Sequence, residues 1–281
     1  FTVDGEDTRI ALRSGVAFAP DHGQDAEAIE HSALAAMDEG DKRGVRIHAF
    51  NEELRGRAAA RLALEHDLRG AIERNEFELF YQPKFDAASQ RLLGAEALLR
   101  WRHPQRGLVS PADFIPLLEE NALIVPVGRW VMGEALRTAV AWRERHPALR
   151  IAVNVSAREL RHSRFLAGCR ELLQPHAADQ LLDIELTESL LMDDIDASIC
   201  LLGSLRDLGC RIAIDDFGTG YSSLNYLARL PVDTIKIDQS FTAQLSHSPE
   251  TMSLVSNIIT LAHSLSLTVV AEGVEEEGQA Q

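Results

Sequence analysis

The chain has 281 residues, 46% of them apolar and 25% charged, a balance that fits an ordinary globular protein long enough to bury a real core. Its 28 basic against 43 acidic residues give a net charge of −15, which argues against binding a nucleic-acid polymer or an anionic membrane, since both need Lys and Arg on phosphates. No apolar run approaches the ~18 residues of a membrane span, so no membrane insertion is expected, and any anionic ligand must be met by placed arginines or metal ions.

Residues 1–50 read as a small α+β fragment. Arg9–Pro20 is β-rich, Asp25–Asp41 is an Ala-rich amphipathic helix stopped by Gly44, and Val45–Phe50 is a short strand. So little apolar area cannot make an independent core, which marks this segment as the tail of a larger domain. Residues 51–75 are charged, rich in Ala, Leu and Arg at helical period, and predict a linker helix. The first residue is Phe1 and not Met, no signal peptide is visible, and the three cysteines (Cys169, Cys200, Cys210) show no disulfide or zinc pattern. The expectation is a soluble piece of something longer, cytoplasmic or the cytoplasmic part of a membrane-attached protein.

From residue 76 to 281 short apolar runs alternate with helical ones. The strand candidates are FELFYQP from Phe77, LLGAEALL (92–99), RIAVNVS (150–156), LLDIELTE (181–188), RIAIDD (211–216), TIKID (234–238) and LTVVAE (267–272). Helix patterns occupy Pro111–Glu120, Val127–Arg145, Ile195–Leu208 and Thr251–Leu265. This alternation predicts an α/β fold with a mostly parallel sheet, either a (β/α)8 barrel or an open doubly wound sheet.

Each strand candidate stays apolar until its C-terminal end and then shows Gln82, Glu96, Asn154, Glu185, Asp215, Lys236 or Glu272. A lone charge in a buried strand is costly, so polar groups at the same end of successive strands point to a site. The two-residue period puts Glu96, Asn154, Glu185 and Asp215 together at the mouth, with Asp216 leaning in from the strand–loop junction. Carboxylates and an amide oxygen without His or Cys make a hard donor set that suits two Mg²⁺ or Mn²⁺ ions, the usual apparatus of phosphodiester hydrolysis. Lys236 is read as orienting water and stabilising charge, or as a plain ion-pair partner of Asp215 or Asp238. Arg100 shares the parity of Glu96 and is read as a phosphate contact, whereas Arg102 is read as solvent-facing or ion-paired. His103, His162 and His263 are read as structural or exposed.

The motifs Glu96-Ala97-Leu98 within GAEALLRWRHP, Asn154-Val155-Ser156, Glu185-Leu186-Thr187-Glu188, the ten-residue DDFGTGYSSL at 215–224, Lys236-Ile237-Asp238 and Glu272-Gly273-Val274-Glu275 together resemble EAL-domain cyclic di-GMP phosphodiesterases, over roughly residues 70–281. The resemblance implies a TIM-like (β/α)8 barrel whose first strand is antiparallel, preceded by the small α+β fragment. It implies that Glu96, Asn154, Glu185, Asp215 and Asp216 ligate the metals, that Lys236 contacts the attacking water, and that Glu272 belongs to the same network. It further implies that Gln82, Leu98 and Arg100 line the dinucleotide site, with Asp238 and Glu275 added from their motifs, and that Glu188 steadies the 216–223 loop. The implied reaction opens cyclic di-GMP to pGpG, in a homodimer through this domain, under an upstream sensor. Two departures go with it. The chain stops at Gln281 before the family's eighth strand and Gln-Gly-Tyr segment. Residues 10–50 resemble the end of a GGDEF diguanylate cyclase, with Ser32-Ala33 and Gly40-Asp41 where that family carries Ala-Asp and Ala-Lys. The rival readings are a catalytically silent receptor for the same dinucleotide and a different barrel metalloenzyme that uses Lys236 as base.

Overall fold

The computed structural model describes residues 2–3, 6–7, 12–42, 44–192, 194–218 and 227–279. They fall into two compact units, Phe1–Gly70 and Ala71–Gln281.

In the first unit, β1 (Thr2–Val3) pairs antiparallel with β2 (Glu6–Asp7), and β3 (Ser14–Val16) pairs parallel with β4 (Ile47–Ala49). A parallel pair needs a crossover, and α1 (Ala26–Lys42) supplies it. The helix lies directly on the strand, because a Cβ at Gly15 would meet the Ala33 carbonyl at 1.7 Å. Among the described residues, Ala36, Phe50 and Leu54 form a small buried apolar cluster. Asn51 then caps α2 (Glu52–Leu68), accepting from the Leu54 N–H at 2.9 Å. That helix is shorter than its composition predicts: Gly70 turns left-handed (φ +89°) and residues 69–75 are turns.

The second unit is an α/β barrel-type sheet. Its strands are β5 (Phe77–Phe85), β6 (Leu92–His103), β7 (Gly107–Val109), β8 (Arg150–Asn154), β9 (Leu182–Thr187), β10 (Arg211–Phe217), β11 (Thr234–Ile237) and β12 (Thr268–Ala271). The sheet order is β12-β11-β10-β9-β8-β6-β5, with β7 folded back on β6. All pairs from β6 to β12 along this path are parallel, as the alternation of elements predicts, and β5 is antiparallel to β6, as the family resemblance implies. Helices α3 (Pro111–Glu120), α4 (Ile124–Arg143), α5 (Ala157–Leu160), α6 (Phe165–Leu173), α7 (Glu188–Met192), α8 (Ile195–Asp207), α9 (Gln239–Thr242) and α10 (Pro249–Ser264) fill the connections.

The two-residue period divides every strand. Ile151, Ile184, Leu186, Ile212, Ile214 and Ile235 are fully buried apolar residues on one face, and the alternate positions carry Asn154, Glu185, Asp215 and Lys236. Ordinary parallel strands are apolar on both faces. Here the second face is built from small and charged residues, which is what leaves room for a site. At the entrance to the sheet, Phe77, Trp101 and Phe114 pack at ring separations of 5.8 to 6.3 Å, and the Trp101 indole donates to Glu76 at 3.0 Å. Such aromatic pairs contribute about 0.5–1.5 kcal/mol each beyond their burial. They fix the β5–β6 hairpin that carries Gln82, Glu96 and Arg100.

Candidate functional site

The side chain at the centre is Lys236, 1% exposed. Its Nζ lies 2.6 Å from Glu185, 2.6 Å from Glu272, 3.1 Å from Asp215 and 3.2 Å from Glu96. Those four carboxylates come from β9, the end of β12, β10 and β6, so four separate strands converge on one ammonium. Burial by itself depresses the Lys236 pKa, but Glu185, Glu96 and Asp215 outweigh it and hold the ammonium well above its ordinary range. Burial pushes the Glu185 carboxyl up, against the pull of Lys236 and Lys84. Burial also raises Glu272, with the Lys236 hydrogen bond opposing, and raises Asp216, where Asp215 and Asp238 add to the effect. The cluster therefore holds its protons tightly, first of all on Lys236.

Two consecutive residues of a regular strand point to opposite faces, so Asp215 and Asp216 cannot both reach one site without a break. The break is there. Asp216 adopts φ +53°, and the β10–β11 register shifts between Ile214 and Phe217. Asp216, expected at the strand–loop junction, is the last residue but one of β10, turned toward the site by a left-handed conformation that Asp tolerates at a cost of about 1 kcal/mol. One consequence is that oxygens of Asp215, Asp216 and Glu272 come within 4.8 Å of one another, close enough to hold a metal ion. The Asp216 N–H is held by Asp215 Oδ1 at 3.0 Å. At the opposite rim, Asn154 Nδ2 donates to Glu96 Oε1 at 2.8 Å.

Glu188 opens α7 and is 3% exposed, with Oε2 accepting from the Gly218 N–H at 3.2 Å. It is thus tied to the segment just past Asp216; residues 219–226, which hold most of the 216–223 loop, lie outside the described residues. Gln82 is exposed and stands opposite Glu96 in the β5–β6 register, while Leu98 stands opposite Phe80. The Arg100 guanidinium lies over the Phe80 ring, 5.4 Å from its centroid, and donates to the Leu99 carbonyl at 2.9 Å. Arg102 pairs with Glu78 at 2.6 Å. Asp238 caps α9 through the Ser240 N–H (3.0 Å), and its pKa is lowered by the Ser240 side-chain hydrogen bond first and by this backbone bond second. Glu275 is exposed, and its backbone N–H donates to Gln279 at 2.8 Å. The structure thus gathers Glu96, Asn154, Glu185, Asp215, Asp216, Lys236 and Glu272, and leaves the Glu275 carboxylate at the surface.

Sequence reasoning missed Lys84. Its Nζ sits 2.5 Å from Glu185 Oε1, so the fully buried carboxylate carries an ammonium on each oxygen. The signal was the period again: Lys84 follows Gln82 by two, and its cross-strand partner is Gly94, which puts no side chain in its way.

The fold and the gathered carboxylates define a barrel protein with an oxygen-donor centre at the C-terminal ends of its strands. The EAL domain model matches residues 65–281, and the chain belongs to that family. Among its relatives, the bifunctional diguanylate cyclase/cyclic di-GMP phosphodiesterase MucR of Pseudomonas aeruginosa is 42% identical over 284 residues, covering 100% of this chain and 42% of MucR. The cyclic di-GMP phosphodiesterase PdeR of Escherichia coli is 40% identical over 263 residues, covering 93% of this chain and 40% of PdeR. A solved structure of PaMucR phosphodiesterase in complex with c-di-GMP superposes with a TM-score of 0.74 at 46% identity, over 78% of this chain and 89% of that one. The chain thus spans about two fifths of the length of these relatives. Among the described residues no helix is long and apolar enough to cross a membrane.

Proposed function

We propose that this chain is a cyclic di-GMP phosphodiesterase that opens the cyclic dinucleotide to pGpG with two Mg²⁺ or Mn²⁺ ions. The observation that carries the reading is the convergence of Glu96, Glu185, Asp215 and Glu272 on Lys236, in a chain of the EAL family. The donor set fits divalent ions: it offers oxygens only, and Asp215, Asp216 and Glu272 already bring theirs within one ion's reach. Glu96, Asn154, Glu185, Asp215 and Asp216 are the residues that hold the ions in this reading. When bound, the ions supply Lewis acidity at the phosphodiester and acidify a water.

The protein's own part is mostly electrostatic. Lys236 keeps its proton at neutral pH, because the surrounding carboxylates stabilise the ammonium. In this reading its role is to orient an oxygen and balance charge, through the ammonium that Glu185, Glu272, Asp215 and Glu96 share. Glu272 shares that ammonium and completes the network. Glu188 keeps the backbone after Asp216 in place. Gln82, Leu98 and Arg100 border the cluster on the β5–β6 side and take the dinucleotide; Asp238 acts through Asp216, and Glu275 from the rim.

Residues 1–50 are proposed as the end of a GGDEF domain and 51–75 as a linker. MucR, named as a bifunctional cyclase and phosphodiesterase, aligns with the whole chain, including the part before residue 65. A homodimer through the EAL domain, an upstream sensor and a cytoplasmic location belong to the same reading. The test is turnover of cyclic di-GMP by the purified chain, with pGpG resolved chromatographically, in Mg²⁺, Mn²⁺, Ca²⁺ or EDTA. Turnover with Mg²⁺ or Mn²⁺ and none with EDTA supports the proposal. Tight binding without turnover in either metal identifies a silent receptor instead.

A further inference from the structure

Phe80 is a large aromatic side chain left 42% exposed on β5. Its place is set by register. Gln82 pairs with Glu96 and Phe80 pairs with Leu98, so Phe80 and Leu98 share the face of the sheet from which Glu96 reaches Lys236. They lie two residues nearer the C-terminal end of β6, roughly 7 Å along the strand. On the other face of the same hairpin, Phe77 and Trp101 are buried in the aromatic core, so the hairpin had an apolar interior available and Phe80 is not in it. One side of the ring carries the Arg100 guanidinium at 5.4 Å. Arg100 is held in that pose by its bond to the Leu99 carbonyl. The result is an apolar shelf, Phe80 with Leu98, next to a cation and one nucleoside's reach from the carboxylate cluster.

We propose that Phe80, backed by Leu98, is the stacking platform for one purine base of the cyclic dinucleotide. This rests on the phosphodiester reading above and deepens it. A cyclic dinucleotide has two negative charges and two flat, apolar faces, and a site made only of carboxylates and metals recognises the phosphates alone. Stacking on an exposed ring is the cheapest means of holding a base, because both π-faces leave water together and every base has such a face. Arg100, already lying against the ring, is placed to meet the charged or oxygen-bearing edge of whatever stacks there. Phe80 binds substrate in this account and takes no part in bond breaking.

The experiment measures kcat and KM for cyclic di-GMP in the full chain carrying Phe80→Ala, Phe80→Leu or Phe80→Trp, beside hydrolysis of bis(p-nitrophenyl) phosphate, a phosphodiester without a base. Removing one base–aromatic stack should raise KM for cyclic di-GMP by about 5- to 150-fold in Phe80→Ala. Phe80→Leu keeps bulk and fold but has no π-face, and should show a similar rise, while Phe80→Trp should restore the wild-type KM. The kcat for cyclic di-GMP and the rate on the base-free diester should not move. A wild-type KM in Phe80→Leu overturns the stacking role, as does a parallel loss on the base-free diester. If the unmodified chain turns over neither substrate, it is the phosphodiester reading that fails, and the two failures are distinct.

Discussion

Replacing Lys236 by methionine keeps most of the side chain's volume and removes the one charge that four carboxylates share. Breaking a buried ion pair by deleting one partner typically costs about 3–5 kcal/mol, because the remaining charge is left uncompensated. For a domain of this size that corresponds to a drop of roughly 6–20 °C in melting temperature. The loss should depend on pH, and its sign follows from linkage. Glu185 and Glu272 already sit above the ordinary carboxylate value of 4.5, and without the ammonium both move higher. A carboxyl raised in the folded state binds protons that the unfolded chain has released, so stability falls as pH climbs through that window. In the wild type the Lys236 pKa lies above its ordinary 10.5, so its own contribution is complete and constant between pH 5 and 8. The variant's deficit should therefore be largest at pH 8 and shrink toward pH 5. Saturating Mg²⁺ should restore much of the melting temperature by replacing the missing charge, without restoring turnover. The assay is a thermal melt at both pH values with and without Mg²⁺. A deficit equal at pH 5 and 8 and indifferent to Mg²⁺ would refute the reasoning and make Lys236 a packing residue.

Asp215→Asn should nearly abolish hydrolysis of cyclic di-GMP, since this carboxylate touches Lys236 and also holds the Asp216 N–H; retention of more than about half the rate at saturating Mg²⁺ contradicts the two-metal reading. Glu188→Ala should raise the Mg²⁺ concentration for half-activation by about 10–100-fold, the usual effect of losing a group that supports a metal ligand. Because Glu188 is buried, it should also cost about 1–3 kcal/mol in a melt, more than an exposed anchor would. Glu159 is buried against α4 beside Gly128, and burial pushes its carboxyl up to about 7 despite hydrogen bonds from Ser156. The wild type should thus lose stability as pH rises from about 4.5 to 7, whereas Glu159→Gln should remove that part of the slope and be the more stable form at pH 8. Identical slopes in melts across pH 5–8 would show that Glu159 does not titrate there.

Much of the barrel was legible in the sequence because its strands obey one rule: β-branched and leucine side chains on the helix side, a polar residue where the strand opens to the site. That rule grouped Glu96, Asn154, Glu185 and Asp215 by parity and singled out Lys236 as the polar end of its strand. Strand parity turns Asp216 away from the cluster, and its place at the strand–loop junction is what let it be expected there; the left-handed φ and the register shift that bring it in are not legible in the letters Asp-Asp. Lys84 was overlooked because its partner, Glu185, is 101 residues away on β9, a strand separated from β5 by β6 and β8 in the sheet order. The helix boundaries erred for local reasons. Helix α4 begins at Ile124, earlier than its apolar period shows, because Ala122 takes φ +59° and restarts the chain after α3. In α2, good helix formers continue past Leu68, but Gly70 ends the helix with a left-handed turn.

Charge within the site gives the strongest reason for the metal requirement we propose. Five carboxylates (Glu96, Glu185, Asp215, Asp216 and Glu272) surround two ammonium groups, Lys84 and Lys236. Lys84 and Lys236 are both committed to Glu185, so neither is spare for an incoming phosphate. At an effective dielectric of about 20, a phosphate 4 Å from a single carboxylate is repelled by about 4 kcal/mol, and several carboxylates face it at once. A protein of net charge −15 adds no favourable long-range field. An anionic substrate can therefore enter this mouth only if cations beyond those of the chain are bound there, and the spacing of Asp215, Asp216 and Glu272 offers them a place. The same excess of acid that makes the empty cluster hostile to phosphate makes it receptive to divalent ions. Arg100 on the Phe80 ring then stands as the chain's own cation at the outer edge, where the electrostatic penalty from the carboxylates is weakest.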